Sequence, residues 1–115
     1  MNTTEKNEII AEFIGLELFK NLLSSLHNGK ISLDIDIYKQ CKFDTDWNWL
    51  MSVVEKIESL GYTVTIAGVM CKVTKVLDIE NSIVSYVLGD KSRKLELVYI
   101  TIVDFIKWYN ENNNA

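Results

Sequence analysis

The chain has 115 residues, 48% of them hydrophobic and 24% charged, with a formal net charge of −4. A chain of this size makes one domain spanning residues 1–115, burying about two thirds of its unfolded surface, and its composition excludes intrinsic disorder. No apolar run approaches the roughly 18 residues a membrane span needs, and an N-terminus carrying Glu5, Glu8 and Glu12 is no signal peptide, so a cytoplasmic protein with no membrane contact is expected.

Thr3 or Thr4 followed by Glu5 and Glu8 marks a capped helix start, and Ile9, Ile10, Phe13, Leu16 or Glu17, and Phe19 trace its apolar face. Leu22, Leu23 and Leu26 carry the stripe on to a stop at His27-Asn28-Gly29, with Gly15 and Ser24-Ser25 as weak points. A strand over 22–27 turning at Asn28-Gly29 is the alternative; the helix is preferred. The period then changes to two: Ile31, Leu33, Ile35 and Ile37 alternate with Ser32, Asp34, Asp36 and Tyr38, as in a strand with one wet face.

Residues 44–61 form the most specific segment. Asp44 or Thr45 can cap a first turn, and Asp46 lies on the positive end of the helix dipole. Trp47, Leu50, Met51, Val54 and Ile57 recur at helical spacing, Trp49 and Val53 widen the apolar face, and Gly61 ends the helix. The tryptophans read first as core, with an exposed Trp49 as the interface-anchor alternative.

Beyond Gly61, Tyr62, Val64 and Ile66 alternate with threonines, Gly68 turns the chain, and Val69–Leu77 runs back as a second strand. Asp78–Asn81 reads as a connection and Ser82–Leu88 as a third strand, closed by Gly89-Asp90. From Ser92, Leu95, Val98, Tyr99, Ile102, Phe105, Ile106 and Tyr109 form a helical stripe that outweighs the β-branched content. The expected fold is therefore α+β: a small, mainly antiparallel sheet, a three-strand meander with residues 31–37 as a candidate fourth strand. An N-terminal, a central and a C-terminal helix pack it on one face.

Chemistry-bearing constellations are sparse. Cys41 and Cys71 read as reduced, packed thiols and His27 as a turn residue, since no short-spaced ligand pair accompanies them. Asp34 and Asp36 share a strand face with Asp44 and Asp46 close behind, but a solvated, charged strand explains them more simply than a cation site does. No metal, cofactor or catalytic residue is implied. Residues 1–60 hold ten acids against six lysines while residues 61–115 balance six acids with six bases, so the acidity belongs to the first half. Lys72, Lys75, Lys91, Arg93 and Lys94 are the one basic concentration, and Tyr86, Trp108 and Tyr109 offer stacking surfaces, the combination that single-stranded nucleic acid requires.

With Asp-Trp-Asn-Trp-Leu-Met-Ser-Val-Val-Glu-Lys-Ile-Glu at 46–58 and Phe-Ile-Lys-Trp-Tyr-Asn at 105–110, the chain resembles a group of small phage and prophage proteins of Bacteroidetes bacteria. Ser52 stands where that group usually has proline. The resemblance is strong over residues 44–66 and the last helix and weak over 20–42; it implies a phage-related origin and an α+β fold, and supplies no catalytic residues. Small acidic phage proteins of this profile are similar to inhibitors of CRISPR effectors. The expected function is thus a non-enzymatic protein-binding module. In its sharpest form it occludes the nucleic-acid site of a host defence nuclease, an RNA-guided one, with Asp34, Asp36, Asp44, Asp46 and Trp49 as contact residues. The alternative is a single-stranded nucleic-acid-binding accessory protein using Lys72, Lys75, Lys91, Arg93, Lys94 and Trp108. A homodimer that buries one sheet edge is open under either reading.

Overall fold

Asn2, not a threonine, starts the first helix: its side chain accepts the Glu5 N–H at 2.8 Å, satisfying a first-turn donor of α1 (Thr3–Ile14). The computed structural model describes residues 1–26, 37–88 and 93–113. Gly15 takes φ 93° and ψ 154°, a region essentially closed to other residues, and so divides the expected long helix into α1 and α2 (Leu16–Leu26). Residues 22–26 are accordingly helical rather than strand. Ile37–Gln40 forms a short 3-10 turn, so the alternating run does not end as a strand; residues 31–36 of the candidate fourth strand lie outside the described residues.

Asp46 caps α3 (Trp47–Ser59), accepting the N–H groups of Asn48 at 2.8 Å and Trp49 at 3.4 Å. The cap falls one or two residues later than the sequence suggests. At the other end Gly61, at φ 95°, reverses the chain into β1 (Tyr62–Ala67). β1 pairs antiparallel with β2 (Met70–Lys75), and β2 pairs antiparallel with β3 (Asp78–Val87), giving the order β1-β2-β3 among the described residues. β3 begins four residues earlier than expected: Lys75 lies opposite Asp78, so Val76-Leu77 is the turn and Asp78–Asn81 belongs to the strand. A register irregularity on either side of Thr74 accommodates the extra residues of β3.

Val64, Val73 and Val84 form one cross-strand row, and Val73 and Cys71 are fully buried, which identifies the face that meets the helices. α4 (Lys94–Asn113) crosses that face. Its β-branched run stays helical because Leu97, Val98, Thr101, Ile102, Val103, Phe105 and Ile106 are buried on several sides at once, against α1, α3 and the sheet. The Thr101 hydroxyl donates to the Leu97 carbonyl at 2.8 Å, so it too is satisfied within the helix. The buried residues of α1, α2, α3, α4 and the sheet make one continuous cluster, the α+β arrangement expected.

Candidate functional site

Of the expected acidic contact residues, Asp34 and Asp36 lie outside the described residues. Asp46 is occupied as the α3 cap. Asp44 is half-buried and accepts a hydrogen bond from Asn7 Nδ2 at 3.3 Å, while Asn7 Oδ1 accepts one from the Tyr99 hydroxyl at 3.0 Å. This chain of bonds joins α1, α4 and the segment before α3. Burial, the nearby Asp44 charge and Cys41 together hold the Tyr99 phenol well above the usual tyrosine range. A cleft of about 330 Å³ opens here, lined by Lys6, Asp44, Glu96 and Tyr99. In this cleft Tyr99 donates inward to Asn7, and Glu96 is clamped by Arg93 at 2.7 Å.

Of the tryptophans read first as core, Trp49 fits that reading and Trp47 does not. Trp49 is only 6% exposed and meets Phe43 edge-on at 5.0 Å, so it is core and not a surface anchor. Its neighbour Trp47 is the exposed one, at 40%. Trp108 packs on Tyr62 and Phe105 in an aromatic cluster with Phe13 and Tyr109 and is partly buried there. The Tyr86 hydroxyl donates to Asp104, tying β3 to α4, and that bond raises its pKa.

The described basic residues belong to different elements. Lys72 lies in the row Thr65–Lys72–Ser85, on the sheet face opposite Val73, and Lys75 ends β2 across from Tyr62. Arg93 and Lys94 stand at the start of α4, roughly 20 Å along its axis from Trp108 at 1.5 Å per residue. Arg93 is moreover held by Glu96, and Lys91 lies outside the described residues.

A different surface emerges at the end of α3. There the N–H of Leu60 bonds to the Ile57 carbonyl and that of Gly61 to the Glu58 carbonyl, and the Gly61 carbonyl in turn accepts the Val76 N–H at 3.2 Å. This last bond locks the helix terminus to the β2–β3 turn. Between them lies an open groove of about 560 Å³ lined by Leu60, Gly61, Tyr62, Lys75, Val76 and Leu77. Its rim is apolar and wet: Leu60 is 37% exposed, Val76 51% and Leu77 98%. Beneath it, Tyr62 meets Phe105 edge-on at 4.9 Å, so the groove has an aromatic floor. Sequence reading missed this site because it continued β2 through Leu77. The signal that marks the turn is the opposite charge of Lys75 and Asp78 on either side of two residues.

Among the described residues no group of His, Cys, Asp or Glu is placed to hold a metal ion, and no helix is long and apolar enough to cross a membrane. Scans of the chain against protein-family models, curated proteins and solved structures find no match.

Proposed function

We propose that this chain is a non-enzymatic protein-binding module whose contact surface is the apolar rim Leu60, Val76 and Leu77. The observation that carries the reading is Leu77, which stands almost wholly in solvent at the tip of a turn, where Gly, Asn, Asp and Pro are the usual occupants. An apolar residue held out on a rigid, hydrogen-bonded turn suits insertion into a partner's pocket, because little conformational freedom is lost on docking. Its sharpest form is a phage-encoded inhibitor of an RNA-guided host defence nuclease in the bacterial cytoplasm. The net charge of −4 would speed its approach to a basic nucleic-acid channel, and the rim would anchor it there. The dispersal of Lys72, Lys75, Arg93 and Lys94 gives the nucleic-acid-binding alternative less support.

The test is cleavage of target DNA or RNA by a purified RNA-guided effector from a Bacteroidetes host, with and without this protein. Wild type should reduce cleavage, and Leu77→Asp combined with Val76→Asp should restore it while leaving the melting temperature in place. Inhibition that survives the double substitution removes the rim from the mechanism. Unaltered cleavage with wild type present removes the nuclease reading, and salt-dependent oligonucleotide binding abolished by Lys72→Glu with Lys75→Glu would replace it by the nucleic-acid one.

A further inference from the structure

Among the described residues β1 hydrogen-bonds to β2 alone, so none of them pairs the row of backbone donors and acceptors on its other side. Edges of this kind are ordinarily guarded by charge, proline or a bulge. β3, the opposite edge, has such guards in Asp78, Glu80 and its register irregularity. β1 has none: Tyr-Thr-Val-Thr-Ile-Ala contains no ionisable side chain other than the phenol of Tyr62, and residues 62–66 are only half-buried.

The segment is also palindromic in chemical class about Val64. Thr63 mirrors Thr65, the large apolar Tyr62 mirrors Ile66, and the small Gly61 mirrors Ala67. In an antiparallel pair, opposed residues lie on the same face, so a two-fold axis at Val64 aligns Tyr62 with the partner's Ile66 and Val64 with the partner's Val64 on the helix-covered side. Thr63 then meets the partner's Thr65 on the other side. Apolar faces apolar and hydroxyl faces hydroxyl, with no unlike pair in the register.

We propose that β1 pairs with β1 of a second copy, joining two three-stranded sheets into one of six strands with all helices on the same side. The occupant is a second copy rather than an unrelated strand because the palindrome is a property that only self-pairing uses. This inference rests on β1 and is independent of the nuclease reading. Six residues a side is a small interface, so assembly is concentration-dependent.

Sedimentation velocity over a concentration series tests it. Wild type should move from the 13.2 kDa protomer towards twice that mass. Thr63→Glu with Thr65→Glu places like charges opposite one another and should hold the protein at protomer mass, whereas Thr63→Lys with Thr65→Glu opposes unlike charges and should restore assembly. Wild type that stays at protomer mass throughout, or assembly unaffected by the double glutamate, overturns the proposal. Hydrogen exchange on the unsubstituted protein gives a readout that needs no variant: β1 amides should gain protection as concentration rises, and unchanged protection overturns the pairing.

Discussion

Asp46→Ala removes the one side chain that accepts two first-turn donors of α3, and should lower stability by about 1 kcal/mol, read by denaturant titration. The two tryptophans beside it should separate cleanly. Trp49→Ala opens a hole against Phe43 and should cost about 3–5 kcal/mol, whereas Trp47→Ala, on an exposed site, should stay within about 0.5 kcal/mol. Tyr99 supplies a pH test. Its phenol ionises later in the folded protein than in the unfolded chain, so the stability this confers is complete below the ordinary tyrosine value of about 10 and is lost as pH climbs through the raised one. Tyr99→Phe should therefore flatten the alkaline limb of a stability–pH profile. At neutral pH it should also cost about 1–3 kcal/mol by leaving Asn7 Oδ1 without its buried donor.

At the scale of elements, Gly15 is the residue that decides whether the N-terminal stripe is one helix or two. Gly15→Ala forces a side chain into φ 93°, ψ 154° and should destabilise by about 1–3 kcal/mol even though the space around it is open, which circular dichroism melts would register. β2 offers the opposite case. Among the described residues the Thr74 hydroxyl is buried without a partner, so Thr74→Val should raise the melting temperature. The elements themselves were largely legible in the sequence: α3, β1 and α4 announce themselves by a cap, a glycine and an unbroken period. The misreadings share a cause. Gly15, the Val76-Leu77 turn and the start of β3 are set by backbone conformation and cross-strand register, which side-chain hydropathy does not encode. Trp49 was ambiguous because an apolar face seven residues wide does not say which edge is covered.

The described residues divide into a core that uses most of the large side chains internally and a surface whose uncharged features include the rim at Leu77 and the edge of β1 that no described strand pairs. Of the expected acidic contact residues, the two described ones also serve structure: Asp46 as a cap and Asp44 as an acceptor for Asn7. Nothing in a linear pattern distinguishes an aspartate that holds a helix from one that greets a partner. At this scale the thiols give a further check. Cys71 is fully buried and its pKa is raised by burial, so native protein should resist thiol reagents at this position and react once denatured, measured by chromogenic labelling.

The bond between Tyr99 and Asn7 spans 92 positions, and it sets an order of events during translation. α1 leaves the ribosome some eighty residues ahead of α4, yet α4 is part of the surface on which α1 settles. Nascent chains paused before residue 94 would display the apolar face of α1 to any passing chaperone, and tucking it away must await emergence of Lys94–Asn113.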